Sequence, residues 1–279
     1  MPTMRVRGVD LVYEILGDRG SWVTITPGGR RGMAGERELG RMIAEAGYRV
    51  LLHDRRNTGA SGIALTGESE SMEQAEDLLE LMRSLRIAPA FVAGSSSGAR
   101  MSLLLAKHHP EAVKALMLWR VTGGPYAAHR LAYNYYEQFL DAVESGGISA
   151  VCGMDHFRAM IAANPANEET LRAMGAEAFA AGMQRWLESF RKDADYPVAG
   201  ISPTDLRQMT HMAIVIPGND RIHPAAGAQA AHRLLPYSIY REVLTHPVDV
   251  DVDFDGWEAK TGSLASHFID FLRACDRAL

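Results

Sequence analysis

The sequence predicts an α/β protein: a mostly parallel sheet with helices on both faces, interrupted by a helical insertion. Three observations carry that expectation. Short apolar runs alternate with amphipathic stretches through residues 1–121. The same alternation returns over residues 202–279. Between them, residues 122–201 read as helical almost throughout, rich in Ala, Met, Tyr and Trp, with no convincing strand pattern.

The elements follow in order. Val9–Leu16 mixes β-branched and polar residues, as an early antiparallel strand does. Trp22–Thr26 is a short apolar strand running into Pro27-Gly28-Gly29. Glu36–Ala46 places Leu39, Met42, Ile43 and Ala46 on one helical face, and Tyr48–His53 is the next strand. Ser71 with Gln74 has the spacing of a capping box, after which Leu78, Leu81, Met82 and Leu85 line one face of a helix. Ala90–Ala93 is a buried strand ending at Gly94, Ala99–His109 a helix, and Lys114–Val121 another buried strand. After the insertion come a strand (Met212–Ile216), a helix (Ala225–Leu235), a strand (Ile239–Leu244) and a last helix (Leu264–Ala278). Long insertions of this kind usually serve a site, so the segment is expected to be a lid; a plain helical subdomain is the alternative.

Composition excludes several classes. The chain has 279 residues, 47% hydrophobic and 23% charged, an ordinary globular balance. A net charge of −5 advertises no basic surface, so nucleic acid is not an expected partner. Two cysteines, Cys152 and Cys275, make neither a metal cluster nor a disulfide framework. No stretch approaches the roughly 20 apolar residues of a membrane span, and the N-terminus has no signal-like apolar core. The expectation is a cytoplasmic protein with no membrane partner and a small-molecule substrate, with a homodimer allowed as its assembly.

Chemistry enters at Gly94-Ser95-Ser96-Ser97-Gly98, a G-x-S-x-G segment between an apolar strand and a helix. A sharp strand-to-helix turn there lifts the central serine above the sheet, and small residues two positions away relieve the crowding. Ser96 is the expected nucleophile.

At this point the chain resembles the α/β-hydrolase fold superfamily. The residues that carry the resemblance are Pro27-Gly28-Gly29, the loop Asp54-Arg55-Arg56-Asn57-Thr58-Gly59-Ala60-Ser61, and the Ser96 elbow. It is similar to the branch holding meta-cleavage C–C hydrolases, small esterases and lactonases, and cofactor-free perhydrolases. Pro27 stands where that branch usually has His, and Asn57 where it has Gly. The resemblance implies an eight-stranded, mostly parallel sheet, with 1–121 and 202–279 as core and 122–201 as an inserted helical lid. It also implies an oxyanion hole from the Gly29 and Ser97 N–H groups, and no cofactor or metal. The physical ground is general: attack by serine puts negative charge on the carbonyl oxygen, and each preorganised donor stabilises it by about 3–4 kcal/mol. Gly28 and Arg30, on the same loop, are the expected substrate-binding residues.

A serine needs a base, and the base an orienting acid. Pro217-Gly218-Asn219-Asp220-Arg221-Ile222-His223-Pro224 resembles the family's acid loop, which makes Asp220 the expected acid. Two histidines compete for the base. His246 stands after the last strand, where the family places it, but without the usual Gly-His turn and before an acidic run (Asp249, Asp251, Asp253, Asp255). His223, three residues past the acid, is the rival. Arg30, Arg31, Arg55, Arg56 and Arg100 lie near these loops and suit either carboxylate recognition or structural ion pairing. Tyr126, Tyr133, Tyr135, Tyr136, Phe157 and Trp186 suit either a pocket lining or the insertion's own core. The expected activity is cleavage of an ester, lactone or activated C–C bond. A lyase in the same pocket and a non-catalytic ligand sensor are the alternatives.

Overall fold

The computed structural model describes residues 1–193 and 196–278. Its strands are β1 (Thr3–Val6), β2 (Val9–Leu16), β3 (Trp22–Thr26), β4 (Arg49–His53), β5 (Ala90–Ser95), β6 (Val113–Trp119), β7 (Met212–Ile216) and β8 (Ser238–Tyr240). They form one eight-stranded sheet in the order β1-β2-β4-β3-β5-β6-β7-β8. The β1–β2 and β2–β4 pairs are antiparallel and every later pair is parallel. The parallel strands are covered on both faces, which is why their sequences are apolar runs rather than alternations.

The helices are α1 (Arg37–Glu45), α2 (Glu70–Ser84), α3 (Ser97–His108), α4 (Pro125–Ala132), α5 (Gln138–Gly153), α6 (Asp155–Ala163), α7 (Ala166–Lys192), α8 (Pro203–Gln208), α9 (Ala225–Leu234), α10 (Phe254–Ala259) and α11 (Thr261–Ala278). One apolar layer holds α2, α3 and α9 against the sheet through residues such as Leu78, Leu105 and Ala231. The other holds α1 and α11 through Leu39, Ile43 and Phe268.

Between β6 and β7 the chain runs α4, a π-helical turn at Tyr133–Glu137, then α5 to α8. Helix α5 is broken at Gly146-Gly147, and α7 at Gly175. This insertion has its own core, in which Phe157 meets Phe139 at 5.0 Å and Phe179 at 5.6 Å, both edge to face. It is pinned to the sheet domain by polar contacts to backbone carbonyls. Asn167 donates to Ser61 O at 3.1 Å and Trp186 Nε1 to Gly67 O at 3.1 Å. Among the described residues no helix is long and apolar enough to cross a membrane.

Local details differ from the sequence expectations for physical reasons. The N-terminal strand β1 pairs with β2 although only β2 was expected. Strand β8 ends at Tyr240, not Leu244, because its last partner is Val215 and β7 offers nothing beyond Ile216. Helix α2 is capped by Ser69, whose Oγ accepts from Met72 N; Ser71 lies inside the first turn and accepts from Arg100 Nε at 2.9 Å. The acidic run after β8 ends in α10, where Asp253 is the N-cap and accepts from Gly256 N at 3.0 Å.

Candidate active site

Strand β5 ends in the turn that carries Ser96, and α3 begins at the next residue. Ser96 has φ 53° and ψ −114°, a conformation that costs about 1–3 kcal/mol and persists only where its surroundings over-determine it. The surroundings are tight. A Cβ on Gly94 would collide with the Gly98 carbonyl, and one on Gly98 with the carbonyls of Thr26 and Pro27. Ser96 N donates to Trp119 O at 3.1 Å, tying the turn to the end of β6.

The loop after β7 brings the partners. A Cβ on Gly218 would strike His223, so the glycine lets residues 217–223 curl back on themselves. Asp220 Oδ1 accepts from His223 N at 2.8 Å, the i to i+3 pattern of a cap. The same Oδ1 lies 2.7 Å from His223 Nδ1, and His223 Nε2 lies 2.8 Å from Ser96 Oγ. All three side chains are buried.

Burial pushes the His223 imidazole below its ordinary value; the Asp220 hydrogen bond opposes this and the Arg120 charge adds to it. Burial pushes the Asp220 carboxyl up, but hydrogen bonds from His223 and Asp253 N, with the charge of Arg120, hold it down at about 2. A neutral imidazole beside a carboxylate fixes the tautomer. Nδ1 carries the proton and donates to Asp220, which leaves the Nε2 lone pair facing Ser96 Oγ.

His246 lies elsewhere. Its side chain is exposed in the loop after β8, and it makes no contact with Ser96 or Asp220. That loop is occupied in holding the loop after β7 that carries Asp220. Asp253 N donates to Asp220 Oδ2 at 3.0 Å, Arg221 N to Val250 O at 3.0 Å, and Val248 N to Asn219 O at 2.8 Å. Asn219 in turn accepts from Trp257 Nε1 at 3.0 Å. The acidic run thus braces Asp220 from the side, at the position where the family pattern led one to look for a histidine. The signal for His223 was the Asp-x-x-His spacing on a tight loop, which directs a backbone N–H and a ring nitrogen to one carboxylate.

The other expected positions divide. Gly28 and Gly29 line a cavity of about 110 Å³ over Ser96. The N–H groups of Gly29 and Ser97 have no hydrogen-bond partner among the described residues; Ser97 is the first residue of α3, where such groups are free. Gly29 has φ +58°, and its carbonyl is held by Arg55 Nη2 at 2.7 Å and Ser97 Oγ at 3.2 Å. Arg55 therefore fixes the loop rather than meeting a ligand. Arg30 does not reach the cavity. It pairs with Glu70 at 2.9 Å and donates to Tyr135 O at 2.6 Å, bridging α2 and the insertion. Arg56 pairs with Asp77 at 2.6 Å in the same structural way. Of the insertion's aromatic residues, Tyr135 lines the cavity, Tyr136, Phe157 and Trp186 are core, and Tyr126 and Tyr133 are exposed.

Sequence reading missed Arg120, Glu36 and Phe254. Arg120 follows β6 with φ 54°, which turns its side chain back over the cavity; its Nη2 donates to Asp220 Oδ2 at 3.2 Å. Nothing marked it in the sequence, because one charged residue at a strand end is an ordinary loop residue until the fold closes around it.

A family profile described as the alpha/beta hydrolase fold matches residues 22–139, from β3 through the Ser96 elbow into the insertion. RutD of Variovorax paradoxus (strain S110), to which carbamate hydrolysis is provisionally assigned, is 28% identical over 47% of this chain and 50% of its own. The curated relatives are matched over only 26% to 50% of their length. Among solved structures, the enol-lactonase from Burkholderia xenovorans LB400 superposes with TM-score 0.64 at 19% identity, covering 98% of this chain and 100% of that one. The meta-cleavage product hydrolase from Pseudomonas fluorescens IP01 gives TM-score 0.66 at 16% identity, covering 97% and 98%. At such identities the likeness is one of fold. The strand order, the elbow, the matched profile and these superpositions together show that the chain has the α/β-hydrolase fold.

Proposed function

We propose that the protein is a serine hydrolase of small or medium carbonyl substrates, with Ser96 as nucleophile, His223 as base and Asp220 as acid. The observation that carries this reading is the unbroken line from Ser96 Oγ to His223 Nε2 at 2.8 Å and from His223 Nδ1 to Asp220 Oδ1 at 2.7 Å. In the first step the Oγ–H proton passes to Nε2 while Oγ attacks the carbonyl carbon. The negative charge on the carbonyl oxygen is received by the Gly29 and Ser97 N–H groups. The tetrahedral adduct expels the leaving group, which takes the proton from Nε2, and an acyl-Ser96 remains. Water, deprotonated by the same nitrogen, then releases the acid and restores the serine.

The helical insertion acts as the lid of this site. Leu131, Asn134 and Tyr135 belong to its first turns and line the cavity over Ser96, which supports that role. Cys152 and Cys275 are free thiols, in keeping with a cytoplasmic setting. The bond cleaved is that of an ester, a lactone or a vinylogous diketone. A panel of those three classes tests the reading. Turnover of at least one is expected, and Ser96→Ala should leave a residue thousands-fold lower or less. Turnover that survives Ser96→Ala would instead support a lyase that needs no acyl-enzyme.

A further inference from the structure

The serine-hydrolase reading leaves an unusual feature beside its own base. Arg120 is only 6% exposed, and its guanidinium lies against both Asp220 and His223 Nδ1, the latter at 3.4 Å. Since Nδ1 carries the proton that Asp220 accepts, Arg120 cannot donate to it as well. A cation at that place opposes the imidazolium that must form when Ser96 loses its proton. Asp220 offsets it through one Nη2 contact, and Arg120 Nε is buried with no partner.

A second guanidinium stands on the same wall. Arg31 stacks over the Phe254 ring at 4.8 Å, and Arg120 lies 5.7 Å from the same ring centroid. Among the described residues Arg31 has no carboxylate within salt-bridge distance. Arg31, Arg120 and Phe254 line both the cavity over Ser96, about 110 Å³, and an adjoining one of about 540 Å³. Glu36 shares that wall but pairs with neither arginine; burial pushes its carboxyl above the ordinary value against the pull of Arg31, Arg120 and Arg55. Arg31, and the part of the Arg120 guanidinium not engaged by Asp220, therefore face the space beside Ser96 without a carboxylate partner among the described residues.

We propose that Arg31 and the free edge of Arg120 form a carboxylate subsite, and that the preferred substrate is an anionic carbonyl compound with a carboxylate a few bonds from the scissile carbon. The bound carboxylate neutralises Arg120 and removes the charge that works against protonation of His223. Recognition and activation of the base are thereby coupled. Phe254 holds both guanidinium planes in place for a planar, two-oxygen partner. This deepens the hydrolase reading and rests on it.

The test compares p-nitrophenyl hydrogen glutarate with its uncharged isostere, p-nitrophenyl 5-methylhexanoate. The wild type should favour the anionic ester at least tenfold in kcat/KM. In Arg31→Met and in Arg120→Met that ratio should fall to near one, whatever happens to the absolute rates. Arg31 does not touch Asp220 or His223, so its variant separates the subsite from damage to the catalytic residues. Turnover of both esters with a wild-type ratio near one, or a ratio unchanged by Arg31→Met, overturns the subsite and leaves the hydrolase reading standing. If neither ester is turned over, calorimetric titration with glutarate decides. Binding by the wild type that is lost in Arg31→Met supports the subsite even though the hydrolase reading fails; no binding overturns it.

Discussion

Replacing Asp220 by Asn probes the site at its most constrained atom pair. Each carboxylate oxygen faces two donors. Oδ1 receives His223 N at 2.8 Å and lies 2.7 Å from His223 Nδ1, while Oδ2 receives Asp253 N at 3.0 Å and Arg120 Nη2 at 3.2 Å. An amide cannot satisfy this set. With its NH₂ toward His223, it donates to Nδ1, forces the proton onto Nε2 and removes the lone pair that takes the Ser96 proton. A tautomer error of that kind lowers kcat by about 10⁴ in a triad of this design, or roughly 5.5 kcal/mol at 1.4 kcal/mol per tenfold. With its NH₂ toward Arg120 the tautomer survives, but a donor faces a buried cation and an N–H loses its acceptor, costing about 1–3 kcal/mol of stability. The first arrangement takes the acceptor from His223 N, but it keeps one for the buried guanidinium and is preferred, because a charged donor loses more than a neutral one. Asp220→Asn should therefore lose three to four orders of magnitude in kcat on a p-nitrophenyl ester, with a native circular dichroism spectrum. A variant within about tenfold of the wild type, with an unchanged pH profile, would refute the assignment of Asp220.

Other consequences follow from the same geometry. Because burial, with Arg120, lowers the His223 pKa, the base is neutral and active down to below the ordinary imidazole value of about 6.5, and kcat/KM is lost only as pH falls further. Arg120→Met removes a cation that depresses that pKa, so the acid limb should move to higher pH; a limb that stays or moves down contradicts the account. Arg55→Met deletes the guanidinium that holds Gly29 O and Ser97 Oγ but leaves no carboxylate unpaired, since Arg55 has no ion-pair partner among the described residues. It should lower kcat by about 10–100-fold, less than the loss of an oxyanion donor itself, with KM little changed and Tm lowered because Gly29 O and Gln74 Oε1 lose a buried donor; a normal kcat would show that the loop holds itself.

How much of this was legible in the sequence depended on whether a feature was local. The strand, elbow and helix around Ser96 were readable because Gly94 and Gly98 are demanded by backbone collisions within one turn. The insertion was readable as a break in alternation, though its internal kinks at Gly146, Gly147 and Gly175 were not. Asp220 was readable because a short strand delivers it directly. The two histidines could not be ranked in the sequence because long-range contacts decide which of them stands beside Ser96. The loop after β8 had to be seen bracing Asp220 through Asp253 before His246 could be set aside. Arg30 misled for a related reason. It stands next to Gly28-Gly29 in sequence, yet Glu70, forty residues on, turns its side chain away from the cavity. Arg31 and Arg120, which follow β3 and β6 and so lie far apart in sequence, meet at one phenylalanine ring that belongs to α10.

The central claim is that Ser96 is activated by His223 and not by His246. Intact-mass and peptide analysis after treatment with a fluorophosphonate measures it directly, because the adduct reports the nucleophile and its rate reports the base. Single labelling at Ser96 is expected in the wild type and, at an equal rate, in His246→Ala. In His223→Ala the rate should fall at least a thousandfold while the fold is retained. Fast labelling of Ser96 in His223→Ala, together with its loss in His246→Ala, would contradict the account.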